Sequence, residues 1–244
     1  MDAYTRTARL ASALDEVTPP LVAQGLRVLQ GNRLAPTEAG HVLELARYMA
    51  LPAGATVIDL GCGVGEVARI LGHVRPDLRF VQVNVSPVQL AMAPEGERFT
   101  RILADFHNVP LGDACADVAL FLYAICHGDQ PRALREAARL VKPGGSLFIY
   151  DLAREGGDNT ASEAELLARF HPVGAMVETA SAAGWALDGI AQPVGQDDVL
   201  KGLFPDPARY AALFADLRPT IWRFTRRGRA HSVGAEPAVL TAAV

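Results

Sequence analysis

The residues best suited to chemistry, by type and spacing, form a short glycine-rich turn after a predicted strand. The strand, Thr56–Leu60, is apolar except for the acid Asp59 near its end. Three alternating glycines follow: Gly61, Gly63 and Gly65. Because glycine has no Cβ and tolerates positive φ, a ligand can lie almost on the backbone of such a turn. The dinucleotide fingerprint G-x-G-x-x-G needs a glycine or alanine where this chain has Glu66, so the spacing disfavours a nicotinamide dinucleotide.

Composition and charge exclude several classes of protein. The chain has 244 residues, of which 50% are hydrophobic, enough to build a full core without disulfide or metal crosslinks. Its net charge of -4 and its pI of about 5.9 argue against a nucleic-acid partner. The three cysteines have neither metal-ligand nor redox-motif spacing. Since no apolar run reaches membrane-spanning length and no apolar signal core follows Met1, we expect a soluble cytoplasmic protein without a membrane partner.

Hydrophobic periodicity predicts where helices and strands lie. Residues 1–50 are predicted to form a helical lid, interrupted by Pro19 and Pro20. Strands then alternate with helices through residues 51–226, which predicts a parallel sheet with right-handed crossovers, and residues 227–244 are predicted to be a flexible tail. The predicted strands are 56–60, 80–83, 99–103, 118–122, 146–150, 185–190 and 220–225. The predicted helices after the lid are 65–74, 87–92, 132–140, 161–170, 173–183 and 197–217.

This element order, with its glycine turn after the first strand, resembles the class I S-adenosylmethionine (SAM) dependent methyltransferases. The likeness extends over about residues 50–226 and includes the family's first motif, Asp59 with its three glycines. It implies an α/β, Rossmann-like fold: a mostly parallel seven-stranded sheet with helices on both faces and an N-terminal helical lid. It also implies SAM as cofactor and S-adenosylhomocysteine as product.

The resemblance extends to the residues that hold SAM in the family. Where relatives have an acid that accepts the ribose hydroxyls, this chain has Asn84, which can accept from one hydroxyl and donate to the other. An Asn followed by Ser and Gln resembles some natural-product and sterol-type C-methyltransferases. Asp105 and Phe106 match the segment that binds the adenine amino group and covers the ring. The implied cofactor residues are Asp59, Gly61, Gly63, Gly65, Asn84, Val85, Gln89, Asp105 and Phe106.

Candidate catalytic residues lie in the loop after the fourth strand, which in this family faces the reacting methyl group. His127 is the residue of this loop that can take a proton near neutral pH, and it is a candidate general base. Tyr123 is a second candidate, for contact with SAM or substrate. Either residue could instead serve only in packing. Cys126 is expected to be inert, because no neighbour in sequence would activate its thiolate.

The leading hypothesis is a SAM-dependent methyltransferase that acts on a small hydrophobic or amphiphilic metabolite. C-methylation of a prenyl diphosphate or another natural-product intermediate is one form of it, if arginines 223, 226, 227 and 229 face the pocket; a solvated face is the favoured interpretation of that cluster. Alternatives are a small-molecule O-methyltransferase and a methyltransferase-like cyclase or isomerase that binds SAM without methyl transfer. No metal is predicted, and a homodimer is left open.

Overall fold

A seven-stranded sheet forms the centre of the computed structural model, which describes residues 3–23, 25, 35, 37–193 and 207–228. The strands are β1 Thr56–Leu60, β2 Arg79–Asn84, β3 Phe99–Leu103, β4 Ala116–Leu122, β5 Val141–Arg154, β6 Trp185–Ala191 and β7 Leu217–Arg226. Their order in the sheet is β3-β2-β1-β4-β5-β7-β6, and β7 runs in the direction opposite to the other described strands.

Helices cover both faces of this sheet. They are α1 Ala3–Ala23, α2 Glu38–Met49, α3 Glu66–Val74, α4 Pro87–Met92, α5 Gln130–Leu140, α6 Thr160–Glu165, α7 Val173–Ala182 and α8 Pro207–Phe214, with a 3-10 turn at Ile125–His127. The apolar sides of α2 and α3 pack against one face, and those of α5 and α7 pack against the other. The predicted fold class, a mostly parallel seven-stranded α/β sheet, is confirmed.

The chain reverses its direction of travel across the sheet between β1 and β4. From β1 it moves outward to β2 and β3, and then returns so that β4 pairs with β1 on the other side. Loops that leave the carboxyl ends of two such strands diverge and open a crevice, where α/β proteins bind ligands. The glycine turn leaves β1 at this point, and the loop that carries His127 leaves β4 beside it.

The prediction that two prolines interrupt the N-terminal helix is wrong. Helix α1 continues through Pro19 and Pro20 to Ala23, although each proline removes a backbone donor. Two side chains before the prolines bind the α4 segment: Asp15, one turn earlier, and Thr18, directly before Pro19. This tertiary anchorage offsets the lost helix hydrogen bonds. The predicted helical run at 21–29 and most of the predicted tail lie outside the described residues.

Several other predicted elements differ in length. Strand β5 extends to Arg154 because it pairs with β7 as far as Leu217, so both strands are longer than predicted. Helix α6 ends at Glu165, two residues before Leu167 takes a positive φ of 50° that no right-handed helix accommodates. Within the predicted helix 197–217, the described part is helical at Pro207–Phe214.

Candidate functional site

The three glycines of the turn after β1 have positive φ but differ in what surrounds them. Their φ angles are 89° at Gly61, 57° at Gly63 and 71° at Gly65. A Cβ at Gly61 would lie 2.5 Å from the Cβ of Ala124, and one at Gly65 would collide with the side chain of Gln82. At Gly63 a Cβ would meet no described atom within 4 Å. Gly61 and Gly65 are therefore required by packing, whereas Gly63 borders open space that a ligand can use.

Asp59, two residues before the first glycine, is a buried acid. Its exposed fraction is 2%, and its Oδ1 has no hydrogen-bond partner among the residues that the structure describes. Burial raises the pKa of this carboxyl to about 7, because removal from water disfavours the charged form. A buried acceptor without a donor, next to a glycine turn with open space, fits a ligand that brings a donor of its own. The amino group of SAM is such a donor.

Both polar atoms of the Asn84 side chain, Nδ2 and Oδ1, form hydrogen bonds that hold the loop after β2. Its Nδ2 donates to the carbonyl of Gly63 at 3.1 Å and to Oε1 of Gln89 at 2.9 Å. Its Oδ1 accepts from the backbone N–H groups of Val85 and Ser86, at 2.8 and 3.3 Å. The amide thus has no N–H left for a ribose hydroxyl in this arrangement, and its contact with SAM stays a prediction.

Helix α1 lies across the loops of this edge. Oδ1 of Asp15 accepts a hydrogen bond from Oγ of Ser86 at 2.5 Å, and Oγ1 of Thr18 accepts one from Nε2 of Gln89 at 2.8 Å. Ser86 is also the N-cap of α4, and its side chain accepts from the N–H of Gln89. The predicted cofactor residue Gln89 is therefore covered by α1 and hydrogen-bonded to it.

Asp105 forms a hydrogen-bonded pair with a histidine that the sequence analysis did not select. Its Oδ1 accepts from the backbone N–H and from Nδ1 of His107, at 2.9 and 2.5 Å, and its Oδ2 accepts from Thr7 at 3.1 Å. The N–H of Asp129 donates to Nε2 of His107 at 2.8 Å, so the imidazole proton is on Nδ1. Burial raises the pKa of Asp105, but His107 and the hydrogen bond from Thr7 together lower it further, so the pKa lies below its ordinary value. The spacing of Asp105 and His107, an acid two residues before a histidine, is the sequence signal that could have identified this pair.

Phe106 lies in the core beside the site. Its ring meets Phe121 edge-on, at a centroid distance of 5.4 Å, and it is 8% exposed. A Cβ at Gly128 would lie 2.6 Å from this ring, so the loop after β4 packs directly on it. Contact between Phe106 and an adenine ring stays a prediction.

His127 ends the 3-10 turn after β4, with one nitrogen committed to the backbone. Nδ1 lies 3.1 Å from the carbonyl oxygen of Leu167. Since a carbonyl only accepts, Nδ1 carries the proton and Nε2 keeps a lone pair. Burial lowers the pKa of His127, more than the bond to Leu167 raises it, so the ring is neutral at pH 7. The positive φ of Leu167, unusual for a non-glycine residue, is of the kind found at functional sites.

An open cavity of about 590 Å³ lies against His127. His107, Gly128 and Asp129 form part of its wall, so the loops after β3 and β4 meet there, and α1 and α6 supply most of the remainder. Tyr123 does not belong to the lining of this cavity. Its ring packs edge-on against Tyr150 at 4.7 Å, and its backbone has a positive φ of 51°. A direct role for Tyr123 in catalysis stays a prediction.

The loop that carries His127 is supported by a second buried acid, Asp151. Its Oδ2 accepts from the N–H of Cys126 at 3.1 Å, and its Oδ1 accepts from the N–H of Leu152 at 2.7 Å. Burial raises the pKa of Asp151 to about 6. Burial also raises the pKa of the Cys126 thiol well above its ordinary value, so the thiol stays protonated and unreactive at neutral pH.

The arginines at the end of β7 lie at the opposite edge of the sheet. Since β7 is antiparallel to β5, its last residues adjoin the beginning of β5, away from the glycine turn. Arg226 donates to the carbonyl of Val141, and Arg227 to Oγ of Ser181 at 3.1 Å. Arg229 lies outside the described residues. Arg226 and Arg227 therefore cannot bind a substrate at the glycine edge, and Arg223, in the middle of β7, has its Nε 4.0 Å from Oδ2 of Asp188.

The described part of the chain lacks two further features. It contains no group of three or more His, Cys, Asp or Glu side chains placed to hold a metal ion. None of its helices combines the length and the apolar character that crossing a membrane requires.

Comparison with known proteins agrees with this architecture. Residues 58–149 match the family model of a methyltransferase domain. A sterol 24-C-methyltransferase of Eremothecium gossypii is 29% identical over 150 residues, and a malonyl-[acyl-carrier protein] O-methyltransferase of Pectobacterium atrosepticum is 33% identical over 124. These alignments cover 56% and 50% of this chain. They cover 39% and 48% of the two relatives, so the chain spans about half of their length or less.

Solved structures show the same fold at lower identity. The [4+2]-cyclase SpnF superposes with a TM-score of 0.76 at 19% identity, over 89% of this chain and 95% of its own. Geranyl diphosphate C-methyltransferase from Streptomyces coelicolor A3(2) has a TM-score of 0.70 at 12% identity, over 78% and 79% of the two chains. The chain therefore contains a match to a methyltransferase domain at residues 58–149, and solved structures with its fold include methyltransferases in complex with S-adenosyl-L-methionine or S-adenosyl-L-homocysteine.

Proposed function

We propose that this protein transfers the methyl group of SAM to a small organic acceptor, with His127 as the general base. The observation that carries the proposal is the protonation state of His127. Its Nδ1 donates to Leu167, its Nε2 keeps a lone pair, and the ring borders a cavity of about 590 Å³. A neutral imidazole at the wall of a ligand-sized cavity is what removal of an acceptor proton requires.

Residues at the glycine edge would hold the cofactor. Asp59 would accept from the amino group of SAM, the backbone at Gly63 would allow close approach, and Asp105 with its His107 partner would face the adenine side. Bound SAM supplies an electrophilic methyl group on a sulfonium. The chain itself contributes alignment of the acceptor and exclusion of water, which promote an in-line displacement.

Either an oxygen or a carbon acceptor suits this arrangement. An O–H acceptor gives up its proton to Nε2 of His127 as the O–CH₃ bond forms and S-adenosylhomocysteine departs. A carbon acceptor gives up a C–H proton to the same nitrogen after the new C–CH₃ bond has formed. The relatives named above include both O- and C-methyltransferases, so they support the small-molecule class without selecting the atom.

A SAM-binding cyclase is the second candidate. It is favoured by the superposition with SpnF, which extends over 89% of this chain. Release of S-adenosylhomocysteine separates the two candidates, because a cyclase transforms its substrate without consuming SAM.

Two glycine variants, with calorimetry, test whether the glycine edge binds SAM. Gly63→Val places a branched side chain in the open space, and Gly54→Val is the matched control. Gly54 also has positive φ, 68°, and open surroundings, but it precedes β1 at the opposite edge. We expect wild type and Gly54→Val to bind SAM and not NAD, and Gly63→Val to lose SAM binding. Normal SAM binding by Gly63→Val, or NAD binding tighter than SAM binding, would contradict the proposal.

The enzymatic step is tested with methyl-labelled SAM and a panel of phenol, carboxylate and alkene acceptors. Label that appears in an acceptor, together with an equal amount of S-adenosylhomocysteine, supports methyl transfer. An acceptor that is converted without label would favour the cyclase.

A further inference from the structure

Three arginines line the cavity beside His127. Arg6 and Arg9 are three residues apart on α1, which places them on the same side of the helix. Arg169 follows α6 and is held against the loop after β4, because its N–H donates to the carbonyl of Cys126 at 2.7 Å. Two segments far apart in sequence therefore bring their guanidinium groups to one cavity, next to the candidate base.

These guanidinium groups lack partners among the described residues. None of the three forms a hydrogen bond or an ion pair through its side chain there. The arginines also repel each other: the pKa of Arg6 is lowered, first by burial and then by the charge of Arg169. Arginines elsewhere in the chain, such as Arg75 and Arg139, are paired with carboxylates.

The acids of the cavity wall offset only part of this charge, and Glu163 raises the pKa of Arg6, in opposition to burial and to Arg169. The cavity has two carboxylates, Glu163 and Asp129, against three guanidiniums. Oε1 of Glu163 accepts from the N–H of Phe170, and Oδ1 of Asp129 accepts from the N–H of Arg132, both at 2.9 Å. Each acid also accepts from a backbone N–H, and the wall keeps one guanidinium charge in excess of its carboxylates.

We infer that this cavity binds the anionic oxygen group of the acceptor, a phosphate or a carboxylate, through Arg6, Arg9 and Arg169. The inference rests on the proposed function, since it assigns the acceptor's charged end to the cavity that contains its base. Guanidinium groups recognise phosphate and carboxylate by paired hydrogen bonds, and a bound anion would also relieve the repulsion between the arginines. The acceptor is therefore an amphiphile, with its charged end among the arginines and its reacting atom near His127.

Titration calorimetry on the full chain saturated with S-adenosylhomocysteine tests this inference, with inorganic phosphate, pyrophosphate and succinate as probes at constant ionic strength. The variants are Arg9→Gln and Arg169→Gln, whose side chains are exposed, so the fold should tolerate both changes. The control is Arg47→Gln on α2, an arginine with 78% side-chain exposure that does not line the cavity. We expect binding of at least one probe, weakened about tenfold by each cavity variant and unchanged by the control.

Two results for the probes would overturn the inference: no binding of any probe, or equal probe binding by the cavity variants and the control. Loss of S-adenosylhomocysteine binding in the cavity variants would also overturn it, because these arginines would then belong to the cofactor site. A preference for pyrophosphate over succinate would identify a phosphorylated acceptor, and the reverse would identify a carboxylic acid. Failure of wild type to bind S-adenosylhomocysteine would count against the proposed function instead. Cofactor binding without probe binding would refute only the anion site.

Discussion

Replacement of Asp59 by Asn should make the stability of the protein less sensitive to a rise in pH from about 5 to about 7. Burial raises the pKa of this carboxyl from 3.8 to about 7, so the folded chain keeps a proton that the unfolded chain has released. A group with a raised folded pKa stabilises the fold at low pH, and the contribution disappears as pH rises through the folded value. In the absence of SAM, the wild-type protein should therefore lose stability between about pH 5 and pH 7.

The size of this loss of stability follows from the pKa shift of Asp59. Between about pH 5 and pH 7, a rise of one pH unit lowers the free energy of unfolding by about 1.4 kcal/mol for each proton that the folded chain binds and the unfolded chain has released. Two units, from about pH 5 to pH 7, amount to about 3 kcal/mol. Asp59→Asn has no proton to release, so this component should be absent from the variant at every pH.

Urea unfolding of wild type and Asp59→Asn at about pH 5 and about pH 8 measures the difference. Glu97→Gln is the matched control, since it makes the same chemical change at an exposed acid. We expect wild type and Glu97→Gln to lose about 3 kcal/mol more than Asp59→Asn over this interval. If all three proteins lost stability in parallel, Asp59 would not be a buried, unpartnered acid, and its proposed contact with the cofactor would lose its main support.

Three further predictions concern other residues of the site. His127→Ala should lower the rate of methyl transfer by about 10²–10⁴-fold and leave the SAM affinity measured by calorimetry nearly unchanged, and His127→Asn should not restore the rate. Near-wild-type turnover in the alanine variant would remove His127 from the mechanism. Asn84→Asp should destabilise the fold by about 1–3 kcal/mol in urea unfolding, because two donated hydrogen bonds become contacts between acceptors; unchanged stability would contradict the loop-shaping role. Gly65→Ala should destabilise by about 1–3 kcal/mol, since its Cβ would lie 2.7 Å from Pro94 and 2.8 Å from Ala93; an alanine variant as stable as wild type would contradict this packing.

Family likeness did not predict the hydrogen bonds that Asn84 makes within the fold. Its place after β2 suggested a ribose contact, because relatives have an acid there. In the fold, the same position lies between Gly63 and Gln89, and an amide can donate to both. A side chain's available donors depend on which neighbours the fold supplies, and local sequence does not contain that information.

The sequence by itself determined the α/β fold class, because alternating strand and helix periods and the stop residues between them are local properties. It also identified the glycine turn, because positive φ at three alternating positions requires a residue without a Cβ. It could not show that Gly63 alone borders open space, since Ala124 and Gln82 approach the other two glycines from distant elements.

Which charged groups share the site was decided only by the tertiary structure. The arginines at the end of β7 lie at the far edge because β7 runs antiparallel to β5, and strand direction is a property of the assembled sheet. Arg6 and Arg169, 163 positions apart, meet at one cavity because α1 crosses the strand ends and the segment after α6 is bonded to Cys126. Electrostatic interaction depends on distance in space and on burial, and both are set only when the chain has folded.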